Sequence, residues 1–284
     1  AREIVLIDIH EEKTIGEALD IQHGIPDMGI SSVRAGTYAD CKDCDLIIIT
    51  AGRNRKRGES RLDLIAGNSA ILKDVVGQMK PYYTKGVIML VSNPVDVLVY
   101  QCTKWMGLPN GMVFGTGCIL DSSRFTRLIA DYTHLNTEVV KATIVGEHGD
   151  AQIPIWSRAS IAGVPLQEYC ENVGLKWDEE IRKEISDKVR EMGATIIKGK
   201  GRTHYGIATC VCYLAEAVLN QRLTIAPVST MFQGEYGIED VCLSVPSIIG
   251  VNGVEKRLEE RWAEEEFQAF RQAADKMKKV LKTL

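Results

Sequence analysis

The chain has 284 residues, of which 45% are hydrophobic and 25% are charged, and its 34 Lys and Arg against 38 Asp and Glu give a net charge of -4. This size allows one large α/β unit or two packed domains, and the composition excludes a disordered chain. No apolar run approaches the roughly 20 residues of a membrane span, and the first residues do not have the layout of a signal peptide, so we expect a cytoplasmic protein with no membrane partner.

The first part of the chain alternates apolar, strand-like runs with helical patterns. EIVLIDI precedes a helix through IGEALDIQ, DLIIITAG precedes a helix from about Leu62 to Met79, and GVIMLVSNP follows. This alternation of strands and helices predicts parallel strands joined by crossover helices, in a sheet that helices cover on both faces. We therefore predict a doubly wound (Rossmann) α/β domain over residues 1–117.

After Gly117 the pattern changes, which predicts a second, mixed α+β substrate domain over residues 118–284. Its segments are a helix DSSRFTRLIADYT, a strand VVKATIVG, a charged helix from Trp177 to Lys198, a helix GIATCVCYLAEAVLN, and strands LTIAPVST and VCLSVPSIIG. The chain ends in an amphipathic helix that should pack on this domain. Its apolar positions are Phe267, Phe270, Ala274, Met277, Leu281 and Leu284.

Asp8 ends the first apolar run, at the tip of a strand that a helix follows. In a dinucleotide-binding fold, an acid there accepts hydrogen bonds from the adenine ribose and selects NAD over NADP. The G-x-G-x-x-G turn that should precede it by about 20 residues is not in the sequence, which begins at Ala1. We expect the sheet to lack its first strand, to be split and to expose two apolar edges. We favour residues omitted from the sequence over a defective fragment that binds NAD poorly.

Two further segments fit a cofactor site, although each could also be an ordinary turn. Thr50, Ala51 and Gly52 end a strand with residues small enough for a dinucleotide to lie close. Asn93 ends the next strand, where its amide could contact the nicotinamide ribose or the substrate.

The cysteines give no indication of a metal site. Cys41 and Cys44 form a C-x-x-C pair, but a second pair with matching spacing is not present. We therefore expect the eight cysteines to be reduced, buried thiols, and we predict no bound metal.

Six motifs resemble those of the L-lactate/L-malate dehydrogenase family, most closely its bacterial L-lactate dehydrogenases. They are LIDI, ITAGRNRKRGESRLDL, VSNPVD, GTGCILDSSRF, IVGEHGD and GKGRTHYG, and the resemblance covers the whole sequence. It implies an NAD-dependent oxidoreductase of glycolysis or fermentation that acts on the CH–OH group of a small L-2-hydroxy acid. It also implies a homo-tetramer or homo-dimer, with the helix IGEALDIQHGI at the dimer contact.

Reduction of a 2-keto acid needs a proton donor, a cation that polarises the carbonyl and a cation that binds the carboxylate. His148 suits proton transfer because imidazole titrates near neutral pH. The resemblance implies that Asp121 orients His148, that Arg124 binds the carboxylate, and that a closing loop brings Arg61 to the carbonyl. Taken alone, Asp121 could instead be a helix N-cap.

The group at the far end of the substrate distinguishes lactate from malate. Arg55 lies where malate enzymes of the family carry an Arg for the second carboxylate, whereas Glu59 could neutralise Arg55 and Thr203 matches the lactate branch. We therefore predict an L-lactate dehydrogenase. The alternatives are an L-malate dehydrogenase and an inactive, truncated family member.

Two other partners are not expected. A basic loop cluster could be a solvated surface or a nucleic-acid patch, but the net negative charge argues against nucleic acid. Many bacterial relatives bind fructose 1,6-bisphosphate through two basic residues, and here the corresponding positions are Thr126 and Lys141, which supply one cation. The basic loop cluster is Arg53, Arg55, Lys56 and Arg57.

Overall fold

Helices and strands alternate along the computed structural model, which describes residues 1–27, 31–54 and 59–284 and leaves out the side chains of Asp27 and Arg61. The first part holds β1 (Glu3–Leu6), α1 (Glu11–Gly24), β2 (Ser32–Ala35), β3 (Leu46–Ile49), α2 (Arg61–Met79), β4 (Val87–Leu90), α3 (Val95–Met106) and β5 (Val113–Gly115). The second part holds α4 (Ile119–Thr133), β6 (Val140–Lys141), β7 (Ile144–Gly146), β8 (Gln152–Pro154), β9 (Ser160–Ile161), β10 (Val164–Pro165), α5 (Leu166–Val173), α6 (Glu179–Lys200), α7 (Tyr205–Leu219), β11 (Thr224–Gln233), β12 (Glu239–Gly250), β13 (Gly253–Arg257) and α8 (Glu264–Leu281).

Strands from both parts of the chain share one mixed sheet. Its order is β3-β4-β5-β11-β12-β7-β8, with β13 paired to β12. β3, β4 and β5 are parallel, and β11 joins them in antiparallel orientation where Ser229 pairs with Gly115. β4 and β5 are buried along their whole length, as their continuous apolar sequences predict. The predicted α/β class, with a mixed second region, is confirmed.

β1 and β2 pair with each other in parallel, separately from the mixed sheet. Ile4 of β1 is 44% exposed and Ile48 of β3 is 40% exposed. β1 and β3 are therefore less buried than β4 and β5. They carry the two exposed apolar edges that the sequence predicts. β1 ends at Leu6, so Asp8 lies in the connection to α1 and not at the strand tip.

The segment VVKATIVG forms two strands, so the prediction of a single strand is wrong. The first piece, β6, pairs with β9, and the second piece, β7, joins the mixed sheet. At the start of β7, Ser122 accepts the N–H of Ile144 at 2.9 Å, and between the two strands the Thr126 hydroxyl donates to the carbonyl of Ala142 at 3.3 Å. Because α4 side chains satisfy these backbone groups, the strand is interrupted there.

α8 packs against the second part of the chain through its apolar face. Phe270, Ala274 and Met277 are buried, and the Phe270 ring lies 5.1 Å from the Trp262 ring, centroid to centroid. Leu284 was expected in the same stripe but is 52% exposed, because the helix ends before it. The predicted packing of the helix is otherwise confirmed.

All eight cysteines are free thiols, and most of them are buried. Cys212 on α7 is exposed, so the expectation of burial is wrong for that residue. Burial, followed by the nearby Cys44 and Asp40, raises the pKa of Cys41 to about 11. Among the described residues, we find no cluster of three or more His, Cys, Asp or Glu that could hold a metal ion. The helices in that part of the chain include none with the length and apolar character needed to cross a membrane.

Candidate active site

His148 lies in the turn after β7, and its imidazole contacts Asp121. Nδ1 of His148 is 2.6 Å from Oδ2 of Asp121. Asp121 is in the first turn of α4 and is 3% exposed, whereas the His148 side chain is 25% exposed. Because Nδ1 is engaged by the carboxylate, Nε2 is the ring nitrogen that can face a substrate.

Arg124 lies one turn further along α4 and shares the same carboxylate. Its Nη1 donates to Oδ1 of Asp121 at 3.0 Å, and its side chain is 14% exposed. A spacing of three residues places both side chains on one face of the helix. The N-cap of α4 is Cys118, so Asp121 is not the helix cap. Its carboxylate instead bridges an imidazole and a guanidinium.

Burial and charge have opposite effects on the pKa of His148. Burial disfavours the imidazolium, but the charge and hydrogen bond of Asp121, with a contribution from Asp96, outweigh it and raise the pKa above 6.5. Burial also acts to raise the pKa of Asp121, yet His148 and Arg124 lower it below 3.8. Both shifts favour a charged pair, so the imidazole holds its proton to higher pH than it would without the carboxylate.

The turns that follow β3 and β4 lie side by side. Ser92 donates its hydroxyl to the carbonyl of Ala51 at 2.7 Å, and a Cβ on Gly52 would come within 3.2 Å of the Ser92 Cβ. Thr50, Ala51 and Gly52 are exposed. The carboxyl ends of two parallel strands therefore present accessible backbone at one sheet edge, which is where open α/β sheets bind dinucleotides.

Asn68 on α2 joins these turns and is not among the residues predicted from the sequence. It is 2% exposed, and its Nδ2 donates to the carbonyls of Asn93 at 2.6 Å and Arg53 at 3.1 Å. Its Oδ1 accepts the N–H of Arg53 at 2.9 Å. The signal in the sequence is a polar side chain inside the apolar run LIAGNSAIL, since burial obliges such a group to find partners.

The loop before α2 lies partly outside the described residues. Arg55 is among the residues not described, and of Arg61 only the backbone is described, at the start of α2. Glu59, the predicted partner of Arg55, forms a bidentate pair with Arg53, with N···O distances of 2.7 and 2.6 Å. Ser60 closes a capping box that sets the start of the helix.

Thr203 and Asp8 lie away from the hydrogen bonds that join His148, Asp121 and Arg124 in the described part of the chain. Thr203 is half-buried and lies just before α7. Asp8 is exposed, and its Oδ1 accepts the N–H of His10 at 2.9 Å. The Asp8 carboxylate therefore shapes the turn that enters α1.

Asp96 is a residue of the site that sequence reasoning missed. It is 2% exposed on α3, and its Oδ2 accepts the backbone N–H of His148 at 2.8 Å. Its signal is a carboxylate in the apolar run VDVLVY, where an unpartnered charge would be costly.

The described residues fit the nicotinamide end of a dinucleotide. Thr50, Ala51 and Gly52 are exposed, so a ligand can approach the backbone of this turn. Asn93 lies at the neighbouring strand end, with its backbone fixed by Asn68. A glycine-rich turn of the kind that binds pyrophosphate is not in the sequence.

An imidazole that can exchange a proton, next to a dinucleotide-binding sheet edge, is what a nicotinamide-dependent dehydrogenase requires. Residues 1–115 match the model of the lactate/malate dehydrogenase NAD binding domain. Residues 118–284 match the model of the lactate/malate dehydrogenase alpha/beta C-terminal domain. The chain belongs to the lactate/malate dehydrogenase family, as its motifs predict.

Individual relatives agree with this membership. The chain is 39% identical to an L-lactate dehydrogenase of Acetivibrio thermocellus, covering 99% of this chain and 89% of the relative. It is 42% identical to an L-lactate dehydrogenase of Thermoanaerobacterium saccharolyticum, covering 99% and 91%. The crystal structure of the minor L-lactate dehydrogenase from Enterococcus mundtii superposes with a TM-score of 0.95 at 38% identity, covering 100% of this chain and 90% of that one.

Proposed function

We propose that this chain is an NAD-dependent L-lactate dehydrogenase, which reversibly converts pyruvate to L-lactate. The observation that carries the proposal is the 2.6 Å contact between His148 and Asp121, with Arg124 on the same carboxylate. Similarity to bacterial L-lactate dehydrogenases over nearly the whole chain supports lactate rather than malate as the substrate.

The proton chemistry follows from the His148 pair. When bound, NADH supplies the hydride that reduces the carbonyl carbon. We infer that His148 donates a proton from Nε2 to the carbonyl oxygen and accepts it back during lactate oxidation. Asp121 fixes Nδ1 and stabilises the imidazolium, so the ring is held in one orientation for both directions.

Arg124 is the proposed anchor for the substrate carboxylate. Its guanidinium is planar and carries several donors, and the described contact with Asp121 uses Nη1. The remaining donors can bind a carboxylate in a bidentate manner next to the imidazole. Arg61 remains the predicted group that polarises the carbonyl, and Thr203 remains a predicted substrate-binding residue that matches the lactate branch.

The proposed NAD contacts all follow the carboxyl ends of parallel strands, namely β1, β3 and β4. Asp8 would accept hydrogen bonds from the adenine ribose, and it is exposed in the connection after β1. Thr50, Ala51 and Gly52 would lie along the dinucleotide, and Asn93 would contact the nicotinamide ribose or the substrate.

Competing substrates test the lactate proposal. We expect kcat/KM for NADH oxidation to be higher with pyruvate than with oxaloacetate, and a tenfold or greater preference for oxaloacetate would contradict it. Arg55→Gln should leave the rate with pyruvate close to the parent value, because lactate has no second carboxylate. A selective loss of oxaloacetate reduction in this variant would instead assign Arg55 to a dicarboxylate substrate. Arg222→Gln, a change at an exposed arginine, is the matched control.

Binding of the cofactor distinguishes an enzyme from an inactive family member. We expect saturable quenching of protein fluorescence, or enhancement of NADH fluorescence, on titration with NADH. Intact mass measured on the same sample identifies the molecule that binds. A mass equal to these residues alone, together with no saturable binding, would contradict the proposal for this molecule.

We also infer a homo-tetramer or homo-dimer in the cytoplasm. Ile15 and Leu19 lie one turn apart on α1 and are 44% and 52% exposed, which supports the predicted contact through that helix. Eight free thiols fit a reducing compartment. Analytical ultracentrifugation of the parent and of Leu19→Glu tests the assembly: the variant should sediment as a smaller species, and an unchanged assembly would exclude α1 from the contact.

A further inference from the structure

Asp96 contacts the backbone of His148. Its Oδ2 accepts the His148 N–H at 2.8 Å, and its Oδ1 accepts the hydroxyl of Ser229 at 2.6 Å. Asp96 is 2% exposed and Ser229 is fully buried. A carboxylate removed from water to this degree is stable only when charges or donors compensate it.

These contacts connect three elements. Asp96 is in the first turn of α3, Ser229 is on β11, and His148 follows β7. The first turn of a helix favours a negative charge, so the position of Asp96 suits an ionised side chain. The carboxylate therefore joins α3 to β11 and to the turn after β7 that carries His148.

The charged groups around the imidazole come from more than one direction. Asp121 contacts Nδ1, and Asp96 contacts the backbone N–H of the same residue. Arg124 opposes them with a positive charge, and each of these three groups affects the proton affinity of the ring. The charged side chains on the His148 turn itself are Glu147 and Asp150.

We propose that Asp96 is a positioning residue for His148: it fixes the backbone that carries the imidazole, and its negative charge favours the protonated ring. This inference rests on the proposed function, because the ring must carry a proton for keto-acid reduction. Two carboxylates would then position His148. Asp121 would set the orientation of the ring, and Asp96 would fix the position of the backbone from which the ring extends.

Asp96→Asn separates charge from shape. The asparagine oxygen can still accept the His148 N–H, and its amide can donate to the Ser229 oxygen, so the hydrogen-bonding pattern can be retained. We expect the midpoint of the alkaline fall in kcat/KM for pyruvate to move down by about 0.5–1 pH unit. The midpoint of the rise in lactate oxidation should move in the same direction. A purely structural role would lower stability without moving either profile.

Asp131→Asn is the matched control, because it removes an exposed carboxylate from α4 that pairs with Arg127. Its pH profile should coincide with that of the parent. If Asp96→Asn does not fold, Ser229→Ala provides the test. That change keeps the Asp96 carboxylate but removes one hydrogen-bond donor to it, so less of the Asp96 charge is compensated. The charge should then favour the protonated His148 ring more strongly, and the fall in rate should move to higher pH.

Three results are decisive. A parent protein that does not reduce pyruvate would refute the proposed function itself. An active parent whose profile coincides with that of folded Asp96→Asn would overturn the inference and leave the function standing. In the absence of folded Asp96→Asn, a Ser229→Ala profile identical to that of the parent would overturn it in the same way.

Discussion

Asp121 holds His148 on one carboxylate oxygen and Arg124 on the other, with the His148 Nδ1 at 2.6 Å and the Arg124 Nη1 at 3.0 Å. One buried side chain thus fixes both the proposed proton carrier and the proposed carboxylate anchor. The two roles share a carboxylate, but one is proton transfer and the other is carboxylate binding. Changes at Asp121, Arg124 and His148 should therefore affect different kinetic parameters.

Asp121→Asn should weaken pyruvate reduction most strongly at alkaline pH. The pKa of His148 is raised above its ordinary value, mainly by Asp121, so the protonated ring persists to higher pH than a free imidazole does and the rate falls as pH rises through that raised pKa. Without the carboxylate charge, burial dominates and the pKa falls below 6.5. We expect kcat/KM near pH 7.5 to drop by about 10²- to 10⁴-fold.

The measurement is the pH profile of kcat/KM at saturating NADH. Asp187→Asn, on α6 with a side chain that is 40% exposed, serves as the control and should follow the parent. A profile of Asp121→Asn that keeps the midpoint of the parent would show that Asp121 does not set the protonation of His148.

Arg124→Lys should raise KM for pyruvate by about 10- to 100-fold, since a lysine keeps the charge but cannot present a planar pair of donors. NADH affinity should change little. Steady-state kinetics with varied pyruvate, together with an NADH titration, measure both quantities. Arg127→Lys is matched in chemistry and helix, and its side chain is 67% exposed, so it should behave as the parent. An unaltered KM in Arg124→Lys would remove this residue from substrate binding.

Phe270→Ala should lower the free energy of unfolding by about 3–5 kcal/mol, because it leaves a cavity in a closely packed aromatic cluster. Phe270 is fully buried, and its ring lies 5.9 Å from that of Phe232 and 5.5 Å from that of Tyr236. Urea unfolding followed by circular dichroism gives the value. Gln268→Ala, on the exposed side of the same helix, should change it by less than about 0.5 kcal/mol. Equal effects of the two changes would contradict the packing of α8.

Much of the fold could be predicted because its elements have strong local signals. β4 is a continuous apolar run that matches a doubly buried strand, and α2 begins after a Ser60 capping box. The division of VVKATIVG could not be predicted, because it depends on Ser122 of α4 accepting a backbone N–H. Distant side chains that compete for backbone groups leave no periodicity in the strand itself.

The site shows the same difference between local and distant signals. The family motifs pointed to His148, Asp121 and Arg124, and the structure brings these three side chains together. The VSNPVD motif drew attention to Asn93, while its last residue, Asp96, is the one that contacts the His148 backbone. Only the packing of α3 against the turn after β7 reveals that contact, since the two residues are 52 positions apart in the chain.

The most direct test of the account is single-turnover oxidation of NADH by pyruvate in the parent and in His148→Asn. Asparagine preserves polarity and approximate size but cannot carry the proton, so the variant should bind NADH within about twofold of the parent and lose nearly all turnover. His134→Asn, at an exposed histidine just after α4, should retain the parent rate. Turnover by His148→Asn at the parent rate would contradict the account, because the proton would then have to come from another group.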